Sequence, residues 1–374
     1  MQLDARHYLP TQHYGAVEYR ILCQNPSLAA PILAPNELSS EAFASALWGL
    51  TEALGNLTHQ LDLDRQVYWC VTRSPSVNAM VARYSDPDLY CVVIGIGAIN
   101  AITWFSLAAM ESDALALFLS EDIDPVDSMA APGCSRREAW RQLAGKVEGT
   151  RLTSTVARAA PLMFLACHFL MAHEVCHIAG GHLALYNGAF TAEDGGRNGL
   201  ERAVSRTLER DADALAASAT LYLLLHPDFL DQWAKVFVGY DANWNASLRQ
   251  FFTASYVLFS IMDLLGPDDA IGQDRTHPPA LVRISTMSIM LAFNLEAFGE
   301  ISAEEAFGVA RRALQAVEIA VFDLAGGIMA EDEALALQSE VQRGLEEHSA
   351  TWRSMGSFLD RRHLLHYAWS VPLR

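Results

Sequence analysis

A mostly helical α+β fold is what this 374-residue sequence predicts, and three observations carry the expectation. Segments of strand composition are confined to residues 67–98, with the turn Ser85-Asp86-Pro87-Asp88 before the last of them, which gives one small, largely antiparallel sheet. From Val156 onward the chain reads as successive long helices separated by Gly and Pro signals. No repeat or low-complexity linker interrupts it, so a single domain over 1–374 is expected, with an N-terminal scaffold (1–66), a central core (67–290) and C-terminal helices (291–374) packed on that core.

Taken in order, residues 1–35 are broken by Pro10, Pro26, Pro31 and Pro35 and predict no long element. Asn36 to Glu41 supplies N-cap candidates for an amphipathic helix through about Leu57, with Phe43, Leu47, Leu50 and Leu54 on its apolar side. Val67–Arg73, Val77–Tyr84 and Leu89–Ala98 are the predicted strands. Ile99–Leu119 reads as one helix, Ser120–Pro132 as an exposed acidic loop and Arg136–Lys146 as another helix. Val156 to about Gly180 is apolar all round, as befits a helix through the middle of a core, and Gly180-Gly181 ends or bends it. Leu200–Leu225 is a long helix stopped by His226-Pro227, and Asn245–Leu265 is closed by Gly266-Pro267. Helices over Ala280–Phe298, Ala303–Phe322 and Glu331–His348 complete the chain.

Composition excludes several function classes. A formal net charge of -18 opposes nucleic acid and anionic membrane as partners, and the arginines are dispersed rather than clustered. Met1 to His7 has no basic head followed by an apolar run, so no secretory signal is read and a cytoplasmic location is expected. The six cysteines lack C-x-x-C spacing, most are expected as buried free thiols, and no structural disulfide is expected. The longest apolar run, Leu89–Met110, carries Asn100 and internal glycines, and reads as a buried strand entering a helix rather than a membrane span.

The chemistry is concentrated in His173-Glu174-Val175-Cys176-His177, an H-E-x-x-H string on the apolar helix. Four residues apart on a helix, His173 and His177 lie about 40° from each other and can meet one metal ion. Glu174 projects about 100° from His173, beside the metal rather than on it, where a carboxylate can take a proton from water. A zinc hydrolase needs a third protein ligand, and Glu209 offers it from the helix that follows. Asp213, one turn on, lies on the same face and can hold the far nitrogen of a ligating histidine. Asp211, about 200° from Glu209, is expected to point away into solvent. His182 falls one residue short of the H-E-x-x-H-x-x-G-x-x-H spacing, and His168, about 140° off the His173 face, is expected to be a core histidine.

These strings together with Thr276-His277-Pro278 and Arg283-Ile284 resemble the gluzincin metallopeptidases of the HtpX and CAAX-prenyl-endopeptidase type over roughly residues 67–290. Val77-Asn78-Ala79-Met80 and Gly97-Ala98-Ile99 are similar to that family's hairpin and strand ending, while residues 113–158 stand as an insertion. The H-E-V-C-H-I-A-G-G-H-L wording is also similar to soluble peptidases of the phage-exclusion Lit type. The resemblance implies a zincin-like core, one Zn2+ per chain held by His173, His177 and Glu209, Glu174 as general base, Asp213 behind a ligand, and His277 at the oxyanion, with Arg283 or Tyr256 as helpers. It further implies endopeptidase activity on a protein or peptide substrate. The strand carrying Val92, Val93, Ile94, Gly95 and Ile96 is the expected edge on which an extended peptide is read. Two alternatives stand beside this, a catalytically silent binding or regulatory module and a hydrolase of something other than protein. The helical, apolar C-terminal part is compatible with a homodimer.

Overall fold

The computed structural model describes residues 66–83, 89–121, 136–147, 156–184, 199–237, 243–265, 278–298 and 301–325, and parts of 49–57 and 339–353. Three strands, β1 (Gln66–Thr72), β2 (Ala79–Arg83) and β3 (Leu89–Gly95), form a sheet in the order β1-β3-β2. β2 pairs antiparallel with β3, as the Ser85-Asp86-Pro87-Asp88 sequence signal predicts, but β1 runs parallel to β3. The sheet is therefore mixed rather than largely antiparallel. The reason lies in residues 74–78, which cross the end of β3 instead of folding back as a tight hairpin. Gly95 and Gly97 donate their N–H groups to the carbonyls of Asn78 and Ser74, each at 3.0 Å. A Cβ on Gly97 would sit 2.0 Å from the Pro75 carbonyl oxygen, so only glycine admits this crossing.

The same topology corrects the expected substrate edge. β3 is paired along both sides, and Val92, Val93 and Ile94 are buried between neighbours. Gly95 belongs to the crossing, and Ile96 already begins a helix. Among the described strands, β2 is the outer one that packs on the helix carrying the H-E-x-x-H string.

The apolar run after β3 is helical, but in two pieces, α1 (Ile96–Ala109) and α2 (Asp113–Glu121). Ser112 makes the break: its hydroxyl accepts the Leu115 N–H at 3.4 Å, so a new helix starts where periodicity alone reads on. α3 (Arg136–Val147) follows, then α4 (Val156–Ala179), in which every residue from Ala159 to Ala179 is buried. α4 packs against α1, β2 and two later helices, α5 (Gly199–Leu225) and α7 (Trp244–Leu265), so it forms the centre of the described fold. Its apolar circumference is explained by that enclosure.

Pro227 stops α5 and, as the first residue of α6 (Pro227–Val236), also starts the next helix, since its missing N–H would have had no partner there. α8 (Ala280–Phe298) and α9 (Ala303–Ala325) complete the packing, α8 on α5, α7 and α9. Asp263 near the end of α7 accepts the Ala280 N–H at 2.8 Å, which fixes the start of α8 three residues before Arg283. Described residues in 49–57 and 339–353 are helical. Among the described residues, two helices have the length and apolarity to cross a membrane, Val156–Ala179, whose apolar 18-residue window is wholly buried within the fold, and 280–297, of which 61% is buried.

Candidate metal centre

α4 and α5 pack against each other so that His173 and His177 of the first meet Glu209 of the second. The separations are 3.1 Å between the two histidine Nε2 atoms, 3.2 Å from His173 Nε2 to Glu209 Oε2, and 3.5 Å from His177 Nε2 to Glu209 Oε1. Three donors about 2.0–2.2 Å from one tetrahedral ion would stand about 3.3–3.6 Å from each other, so the triangle has nearly the dimensions of a metal site. All three side chains are buried.

The protons of the two imidazoles support the same reading. His173 Nδ1 lies 2.9 Å from Asp213 Oδ1, and Asp213 takes a bidentate pair from Arg283, Nε to Oδ2 and Nη2 to Oδ1, both at 2.7 Å. Burial opposes ionisation of Asp213, but the Arg283 guanidinium and His173 outweigh it and hold the carboxyl below its usual range. An ionised carboxylate only accepts, so His173 Nδ1 carries a proton and its Nε2 is directed at Glu209 and His177. His177 Nδ1 lies 2.9 Å from His182 Nδ1, and His182 Nε2 lies 2.8 Å from Asp211 Oδ2. A proton on His182 Nε2 facing Asp211 leaves its Nδ1 to accept from His177 Nδ1, and His177 Nε2 is then a bare donor atom facing that of His173.

Two lone pairs and a carboxylate converging in a buried space require a cation. Burial pulls the His173 pKa down, yet the contacts with Asp213 and Glu209 raise it to about 10, so without a metal this ring supplies the charge as a proton. Burial, together with the neighbouring His173 and His182 rings, holds His177 well below the ordinary histidine range, although Glu209 pulls the other way. The residues present therefore fit a divalent ion accepted by two imidazoles and a carboxylate.

Glu174 is buried on the same helix, and burial first, with Glu209 next to it, pushes its carboxyl up to about 7 against the opposing pull of His173 and Arg283. Such a group exchanges a proton near neutrality.

Of the other residues singled out from the sequence, Arg283 is committed to Asp213 and lies 4.4 Å over the Phe259 ring, so it supports the carboxylate behind His173. Tyr256 is buried and donates its hydroxyl to Glu318 of α9, an interhelix contact between α7 and α9. His168 sits in the core, its Nδ1 3.2 Å from Thr220 Oγ1 and its ring stacked on Phe164. His277 lies outside the described residues. Cys70, Cys91, Cys167 and Cys176 are buried free thiols.

Two residues that helical spacing did not bring to the site belong beside it. Asp211 is buried rather than solvated, because the chain after α4 supplies a partner, His182, on the flank of α5 away from Glu209. The signal was Gly180-Gly181 immediately before His182, which turns the chain at once instead of extending the helix. Behind α5, Arg206 pairs with Glu347 and Arg210 donates to the Gly344 carbonyl at 2.6 Å, so the described part of 339–353 docks one turn from Glu209. No protein-family model, curated protein or solved structure gives a significant match to the chain.

Proposed function

We propose that the protein is a zinc-dependent endopeptidase of gluzincin type, with His173, His177 and Glu209 as ligands and Glu174 as general base. The observation that carries this reading is the convergence of two Nε2 atoms and one carboxylate within a buried triangle, with a carboxyl of pKa about 7 on the same helix. A zinc ion held there would supply the positive charge that polarises a scissile carbonyl and acidifies water.

The chain's own residues supply the rest. Glu174 accepts the proton of the attacking water and delivers it to the leaving amine, a cycle that its elevated pKa suits. Asp213, neutralised by Arg283, fixes the orientation of His173. Retention of a base next to three protein ligands favours catalysis over a structural site, which fills all four positions with protein donors. β2, the outer described strand against α4, is the edge suited to receive an extended peptide by main-chain hydrogen bonds. By its resemblance, His277 serves the carbonyl oxygen.

The test compares bacterial-lysate proteins exposed to wild type and to Glu174→Gln, both zinc-loaded. New peptide termini with wild type only are expected. The same termini with both proteins would remove Glu174 as base, and none with either would favour a binding module.

A further inference from the structure

Resting on the metal-site reading above, we propose that His182 and Asp211 are positioning residues that hold His177 as a ligand and thereby set the metal affinity of the centre.

The local sequence builds the seat for this pair. α4 ends as Gly180 donates its N–H to the Cys176 carbonyl at 2.7 Å and Gly181 adopts φ 69, the left-handed conformation that glycine takes without strain. The chain reverses into a single 3-10 turn, His182–Ala184, and the His182 ring folds back over the end of α4. A Cβ on Gly180 would lie 2.5 Å from His182 Nε2, so the first glycine makes room for the ring and the second aims it. The ring is fully buried and stands between His177, five residues earlier, and Asp211, on another helix.

The hydrogen-bond inventory leaves one proton arrangement compatible with a metal on His177 Nε2. His177 Nδ1 donates to His182 Nδ1, and His182 Nε2 donates to Asp211 Oδ2. Asp211 selects the tautomer of His182, and His182 selects that of His177. The two ligands are thus supported differently. His173 rests directly on a carboxylate paired with Arg283, whereas His177 rests on the His182 ring, with the Asp211 carboxylate one imidazole further from the ion. Two independent supports, from Asp213 and from Asp211, leave both ligand rings with fixed Nε2 directions.

The experiment measures zinc dissociation constants by chelator competition, and the visible spectrum of the Co2+-substituted protein, for wild type, His182→Leu, His182→Asn and Asp211→Leu. Leu removes the acceptor facing His177, whereas the Asn amide oxygen reaches about where Nδ1 stood. Losing such a support weakens metal binding roughly 10–100-fold, so that loss is expected for His182→Leu and Asp211→Leu, with recovery of most of it in His182→Asn. The Co2+ bands should shift in the two Leu variants and return in Asn. Zinc binding by His182→Leu or Asp211→Leu as tight as wild type would overturn the relay while leaving the metal site standing. Failure of wild type itself to bind zinc would overturn the metal-site reading instead. If His182→Leu does not fold, Asp211→Leu against His182→Asn decides the question alone, since equal affinity of those two refutes the relay.

Discussion

Replacing Arg283 by Met removes a charge from the most deeply buried ion pair behind the centre. Asp213 is wholly buried and Arg283 nearly so, and the guanidinium makes two contacts of 2.7 Å with the carboxylate. Removing one partner of such a pair costs about 3–5 kcal/mol, because the other charge stays buried. Loss of the contact with the Phe259 ring adds about 0.5–2 kcal/mol. An opposing effect comes from His173, whose proton lies against Asp213 and remains up to about pH 10 in the metal-free protein. The expected loss at pH 7 is therefore about 3 kcal/mol, read as a fall in the urea midpoint at unchanged slope. The double variant Asp213→Leu, Arg283→Met should be less destabilised than the sum of the two single changes by about 2 kcal/mol or more, since neither charge is then stranded. A loss below about 1 kcal/mol for Arg283→Met, or additivity within about 0.5 kcal/mol, would show that the pair is not the buried unit described.

The pH response of the metal-free protein follows from two raised pKa values. His173 at about 10 contributes stability that is complete below its ordinary value and lost as pH rises through 10, and Glu174 at about 7 acts in the same direction at lower pH. Zinc needs both rings unprotonated on Nε2, so the rise in Tm on adding zinc should be larger at pH 9 than at pH 6.5, and equal increments would contradict the assignment. Glu174→Gln should bind zinc as wild type does and lose turnover by at least about 100-fold, measured by single-turnover peptide cleavage. Glu347→Ala removes the carboxylate that faces Arg206 and Arg210 behind α5 and should cost about 1.5–3 kcal/mol, with faster limited proteolysis of the 339–353 segment, whereas an unchanged cleavage rate would argue against that docking. Gly181→Val places a β-branched residue at φ 69 and should destabilise by about 1–2 kcal/mol, visible in the same urea assay.

What could be read in advance was whatever depends on neighbours along the chain. The i, i+4 spacing of His173 and His177, and of Glu209 and Asp213, puts each pair on one helical face, and the structure brings those faces together. The all-round apolarity of α4 likewise announced a helix enclosed on every side. Strand order was illegible, because β1 pairs with β3 through a crossing that local alternation does not encode, and a central strand alternates like an edge strand. Asp211 was misplaced for a related reason: its angle on α5 does direct it away from Glu209, but only tertiary structure shows that His182 waits there. The break at Ser112 falls in the short polar stretch Glu111-Ser112-Asp113 between two apolar segments, where the helical reading ran on and a single capping hydroxyl decides.

The central claim, that α4 and α5 jointly hold one catalytic-type metal, is met most directly by X-ray absorption on protein loaded with zinc, with metal content measured on the same sample. The expected result is one zinc per chain, with two imidazole nitrogens and at least one carboxylate oxygen at about 2.0–2.2 Å, and loss of that signal in Glu209→Ala. A protein that takes up no zinc, or a zinc site surrounded by sulfur or lacking imidazole, would contradict it.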